Sequence, residues 1–148
     1  MLTPKGLRVL EFNARLGDPE TQPILMRLSS DLVPALVAVA QGDLSRTALA
    51  FDRRAAVGVV LAAEGYPGKV TTGDPISGLD GPFPDDVQVF HAATAAGPGG
   101  RVVTSGGRVL TVFALGDVLD AAAARAYEAA GRIAFRGMQH RKDIGKKP

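Results

Sequence analysis

Glu11 and Asn13 stand two residues apart in "LEFNARLGDPETQ", residues 10–22, and Arg15, Asp18 and Glu20 follow closely. Side chains of a strand alternate between faces, so a strand here would present a carboxylate and an amide oxygen together and turn Phe12 the other way. Two hard oxygen donors on one rigid element suit Mg²⁺, which takes one or two protein oxygens and completes its octahedron with water and nucleotide phosphates. Arg15 would set a guanidinium beside the same phosphates. The residues alone leave two readings open: a metal and phosphate corner, or an exposed strand face with a surface ion pair at Arg15.

The elements that must position these side chains are short. Residues 7–12 read as a strand, and the "TPKG" turn before it implies a hairpin whose first strand ends at Met1 and Leu2. The expectation is that the chain begins inside a hairpin and leaves an edge for another segment to pair with. Asp18 reads as an N-cap with Pro19 at the first helical position, giving a helix over 19–28 whose positive end lies near the acidic cluster. Asp31 caps a second helix through about Gln41, ended by Gly42, with Leu32, Ala35, Leu36 and Val39 on one face. A polar connector spans 42–55. We place a domain boundary near Phe51 or Asp52, giving domains 1–51 and 52–148.

From Ala55 the pattern changes. "AAVGVVLAAE" is a nearly continuous apolar run of small and β-branched residues, as a buried strand requires. "GYPG" at residues 65–68 is a turn, residues 75–86 are loop-rich, and "VQVFHAAT", "RVVTS" and "RVLTVFAL" read as three further strands. "SGG", residues 105–107, reads as the hairpin turn joining the last two. Asp117 opens the strongest helix, with Leu119, Ala122, Ala123, Ala126, Ala130 and Ile133 in one apolar stripe and Asp120, Arg125, Glu128 and Arg132 outward. The class is α+β, a small mainly antiparallel sheet with one helix packed across it.

Composition narrows the chemistry. With 46% hydrophobic and 22% charged residues the chain of 148 residues is globular rather than disordered. It has no cysteine, which excludes disulfides, thiolate metal sites and cysteine nucleophiles. Arg136, Arg141, Lys142, Lys146 and Lys147 form a basic cluster near the end, either a phosphate contact or a solvated tail. No Trp and only two Tyr argue against a single-strand nucleic-acid platform. No leader-like start and no uninterrupted apolar stretch of membrane-spanning length is present. The expectation is a cytoplasmic protein without nucleic-acid or membrane partners. His91 and His140 lack a metal-spaced partner, and His91 reads as a sheet histidine with a satisfied hydrogen bond.

"EFNARLGDPETQ" resembles the segment of the phosphoribosylamine–glycine ligase (glycinamide ribonucleotide synthetase) family in which Glu-Phe-Asn leads into Arg-Phe-Gly-Asp-Pro-Glu, with Leu16 here in place of that Phe. The likeness continues in order through "RLSSDLV", "GYPG", "VFHAAT", "SGGRVLTVFALG" and "RKDIG". It implies the C-terminal third of an ATP-grasp ligase of purine synthesis: the last strand and two helices of the ATP-grasp core, then the small C-terminal domain. The implied reaction joins glycine to 5-phosphoribosylamine, cleaving ATP to ADP and phosphate. By matching positions, Glu11 and Asn13 would bind Mg²⁺ or Mn²⁺, Arg15 would neutralise charge on the transferring phosphoryl group, and Arg141 and Lys142 would approach the ribose or ATP phosphates. The resemblance also implies a missing N-terminal part, in cis or in trans, without which the chain is expected to be inactive. The alternative is a stand-alone nucleotide- or phosphate-binding module.

Overall fold

The computed structural model describes residues 1–146. Lys147 and Pro148, the end of the predicted basic cluster and of the second predicted domain, lie outside the described residues. In chain order the elements are β1 (Leu2–Thr3), β2 (Gly6–Leu7), α1 (Thr21–Arg27), α2 (Val33–Gln41), β3 (Ala55–Ala62), β4 (Val87–His91), β5 (Thr94–Ala96), β6 (Val102–Thr104), β7 (Arg108–Gly116) and α3 (Leu119–Ala130).

The apolar runs around residues 55–62 and 108–116 pair as the heart of an antiparallel sheet of order β3-β7-β4. In its central part β7 is laddered on both edges, Val59 opposite Val112 on one side and Val89 opposite the same Val112 on the other. On one face Val57, Val59 and Leu61 join Leu110, Val112 and Ala114 against α3, which contributes Ala122, Ala126, Ala129 and Ala130, followed by Ile133 and Phe135. The alanine stripe lets the helix lie close to the sheet. At Gly116 a Cβ would stand only 2.4 Å from the Ala122 backbone nitrogen, so the strand's exit leaves no room for a side chain. On the other face the buried Phe113 ring lies across Gly58, its ladder partner, and meets Phe90 edge-on at 5.5 Å. The end of α1 is strapped beside this sheet by Arg27, whose guanidinium donates to the Asp52 carbonyl at 3.0 Å, and by a bridge between Leu28 and Phe51. Arg54 pairs with both Asp52 and Asp86, and Arg125 of α3 joins Asp86 at 3.1 Å, so four charges tie the start of β3 to the loop before β4 and to the helix.

The class is therefore α+β as expected, and β3, β4, β6, β7 and α3 lie where periodicity put them. Four expectations are corrected. The predicted strand over 7–12 is reduced to Gly6–Leu7: β1 and β2 do form the hairpin around "TPKG", with Leu2 opposite Leu7, but residues 8–17 have no ladder. A strand is held by its neighbour: Arg8 still exchanges two backbone hydrogen bonds with Met1, at 2.9 and 2.8 Å, and beyond it none of the described residues pairs with the segment, where Phe12 is 89% exposed. The predicted helix over 19–28 begins at Thr21 instead. Thr21 donates both N–H and Oγ1–H to the Gly17 carbonyl, while the Asp18 carboxylate is drawn to Arg108 and caps nothing.

The second helix ends as predicted at Gly42, whose φ of 74° is left-handed, and Asp31 accepts from the Val33 N–H at 2.9 Å. Its predicted apolar face is not a core face: only Ala35 is buried, and Leu36 and Val39 are exposed. The "SGG" turn is no hairpin. β6 pairs with β5, and residues 105–107 carry the chain to a different sheet, because both edges of β7 are taken by β3 and β4. No helix among the described residues is long and apolar enough to cross a membrane.

Replacing Gly116 with valine should lower stability by about 1–3 kcal/mol, read as a fall in urea midpoint, because α3 must move to admit the side chain. Limited proteolysis should leave a resistant piece starting near Ala55, since the buried sheet and α3 lie beyond it; a product retaining residues 1–50 and losing the sheet would contradict that.

Candidate functional site

Glu11 and Asn13 lie in the segment 9–17, which has no ladder, exposed to solvent, and no hydrogen bond among the described residues engages either side chain. The rigid strand expected beneath them is absent, so alternation along a ladder does not place them on one side. Arg15 is exposed in the same segment, with Nη1 3.4 Å from the Leu16 carbonyl. What anchors the segment downstream is Asp18: Arg108 at the head of β7 donates from Nη1 to the Asp18 carbonyl at 3.0 Å and pairs from Nη2 with Oδ2 at 3.1 Å. Both side chains are partly solvated, and exposed pairs of this kind contribute about 0–1 kcal/mol to stability. Their consequence is positional rather than energetic.

Arg108 also lines an open cavity of about 380 Å³ together with Val60, Ala62, Tyr66, Gln139, His140 and Arg141. The cavity's far wall exists because the chain after α3 returns to the sheet. Gln139 exchanges two backbone hydrogen bonds with Ala62, at 2.8 and 2.9 Å, and its side-chain amide donates to the carbonyls of Ala63 and Tyr66. Tyr127 of α3 holds the next turn, its hydroxyl donating to the Arg141 carbonyl at 2.9 Å and accepting from the Ile144 N–H at 3.0 Å. Arg141 grips Asp143 with two parallel bonds of 2.9 and 2.7 Å. That hydrogen-bonded guanidinium, with the charge behind it, holds the Asp143 carboxyl below its ordinary 3.8, and Asp143 in turn raises the Arg141 pKa. Lys142 is exposed beside them.

The structure thus brings Arg141 to the same cavity as Arg108, and Arg108 to Asp18. It does not put Glu11, Asn13 or Arg15 in contact with Arg141 or Lys142; they are joined through Asp18, five positions beyond Asn13 and within about 18 Å of it along an extended chain. Arg108, Tyr66, Gln139 and Tyr127 were not singled out from the sequence. For Arg108 one signal was available, a charge opening an otherwise apolar buried strand straight after "SGG". His91 is an exposed residue of β4 whose Nδ1 lies 2.9 Å from the Thr94 hydroxyl, as a satisfied sheet histidine should.

Sheet, packed helix and returning tail define the class, an α+β domain. It aligns with the crystal structure of phosphoribosylamine–glycine ligase from Thermotoga maritima with a TM-score of 0.76 and 36% identity, over 97% of this chain and 34% of that one. The chain belongs to the phosphoribosylglycinamide synthetase family, whose C-domain model matches residues 56–147. It is 51% identical over 146 residues to the phosphoribosylamine–glycine ligase of Caulobacter vibrioides and 50% identical over 149 residues to that of Rhodopirellula baltica. Those alignments cover 98% and 99% of this chain, which spans about a third of the length of each relative.

A carboxylate whose folded pKa is depressed contributes stability in full above its ordinary value and loses it as the pH falls through the lower folded one. Carboxyl NMR titration should therefore place the Asp143 midpoint below 3.8, with the turn at residues 141–144 loosening beneath it. Arg141→Ala should bring the midpoint back towards 3.8.

Proposed function

We propose that this chain supplies the metal and phosphate corner, and the closing C-terminal domain, of an ATP-grasp ligase that joins glycine to 5-phosphoribosylamine, working in the cytoplasm with a polypeptide equivalent to the other two thirds of its relatives. The observation that carries this reading is identity to such ligases at about half of all positions, sustained over nearly the whole chain. The division suggested from sequence, 1–51 as the end of the ATP-grasp domain and 52–148 as the small domain, is supported by the C-domain match beginning at residue 56.

In the reaction, ATP passes its γ-phosphoryl group to the glycine carboxylate, ADP leaves, and the amine of phosphoribosylamine attacks the acyl carbon with loss of phosphate and a proton. Little covalent work falls to the protein, which positions the reactants and offsets charge. Glu11 and Asn13 fit a hard divalent cation, Mg²⁺ or Mn²⁺, by donor type: one carboxylate and one amide oxygen, exposed and engaged by no hydrogen bond among the described residues. Held by these two side chains, such an ion would supply positive charge to offset that of the nucleotide phosphates. Arg15 is the charge-neutralising residue of the transferring phosphoryl group. Arg141 approaches a phosphate from the cavity wall, where its pairing with Asp143 fixes the guanidinium plane, and Lys142 adds a second positive charge.

The test is a fusion of the upstream two thirds of the Caulobacter vibrioides ligase to this chain. ADP release should require both glycine and phosphoribosylamine, and Glu11→Ala should lower kcat by about a hundredfold. An inactive, folded fusion would sink the ligase reading. Micromolar binding of Mg-ATP by the isolated chain would instead favour a stand-alone nucleotide-binding module.

A further inference from the structure

Arg108 sits at a break in the ladder. Leu61 pairs with Leu110, but the next residue, Ala62, pairs with Arg108, so Val109 is an extra residue in β7. In an unbroken strand Arg108 and Leu110 would share a face, and Arg108 would point at α3 and the core. The extra residue puts Arg108 opposite Ala62 on the other face, while Val109 joins the core and is wholly buried. A bulge that re-aims one side chain is a recognised device of strands next to functional sites. Here the redirected guanidinium reaches two atoms of Asp18, at 3.0 and 3.1 Å, and forms part of the cavity wall shared with Arg141. The same Ala62 is the residue to which Gln139 ties the returning tail.

We infer that Arg108 is a positioning residue: through Asp18 it fixes the segment carrying Glu11, Asn13 and Arg15 against the cavity that holds Arg141, so that the metal-binding and phosphate-binding parts of the site keep one spacing. This rests on the ligase reading above for its functional meaning. Beyond Arg8 the segment has no ladder, so a two-point hold at its downstream end is what limits its swing. A planar fork is needed for that hold; a lysine is a point charge and would keep attraction while losing orientation. The pair is partly solvated, so variants at Arg108 should fold.

Because the chain has no cysteine, nitroxide labels can be placed uniquely at Ala14→Cys in the segment and Ala124→Cys on the exposed side of α3. Pulsed electron resonance on the full chain should give a narrow distance distribution, broadened at least twofold by Arg108→Leu and less by Arg108→Lys, with the urea midpoint near that of the labelled parent. A width unchanged by Arg108→Leu would overturn the inference, and Asp18→Ala, at an exposed position, repeats the test from the other partner. In the fusion ligase, Arg108→Leu should raise the Mg²⁺ concentration for half-maximal rate about tenfold while the glycine KM moves less than twofold, with partial rescue by Arg108→Lys; an unchanged Mg²⁺ requirement would also overturn it. If the unsubstituted fusion is inactive the ligase reading fails, while the distance measurement still decides whether Arg108 holds the segment.

Discussion

Everything in this chain is arranged around one strand whose peptide groups have neighbours on both edges. With β3 on one side and β4 on the other, central β7 is committed in both in-plane directions, and its side chains are buried on both faces from Val109 to Leu115. Such a strand tolerates neither an unpaired polar group nor a volume change without disturbance. The surrounding features answer that constraint. Gly58 makes space for the Phe113 ring, Gly116 for the approach of α3, and the alanine stripe of α3 brings the helix down onto Val112 and Ala114.

The rigidity of β7 is also what makes its one irregularity informative. An extra residue within a packed ladder is disruptive unless both residues it displaces find a place. Val109 is taken into the core and Arg108 is taken out to solvent, where it finds Asp18. The most ordered element of the fold is thereby connected to its least regular segment. The tail after α3 arrives at the same spot from the opposite direction, by way of Gln139 and the Tyr127 hydroxyl. Three stretches far apart in the chain converge around the Ala62 position, and the cations of the cavity are borne by two of them.

The N-terminal third behaves differently. Residues 8–17 and most of α2 carry apolar side chains that nothing in the described chain covers, including Leu10, Phe12, Leu36 and Val39. Local helix and turn signals there hold at the "TPKG" turn, the Asp31 hydrogen bond and the left-handed Gly42, and fail at Asp18, whose carboxylate goes to Arg108 instead of capping α1. They were misread where burial or pairing was required, at the strand over 7–12 and the apolar face of the second helix. Local hydrogen bonds form from the residues at hand, whereas a ladder or a buried face needs a second surface.

The sequence by itself determined the class of fold, the positions of β3, β4, β6, β7 and α3, and the family, and it nominated Glu11, Asn13, Arg15, Arg141 and Lys142 as candidates for the chemistry. Periodicity, turn residues and ordered motifs carry that information because each is written in neighbouring positions. Tertiary structure alone decided that "SGG" crosses between sheets, that Asp18 is a partner rather than a cap, and that Arg108 meets Asp18 beside the cavity lined by Arg141. The reason is register: a single extra residue at Val109 reverses the face of the side chain beside it, and no local pattern announces which strand will be its neighbour.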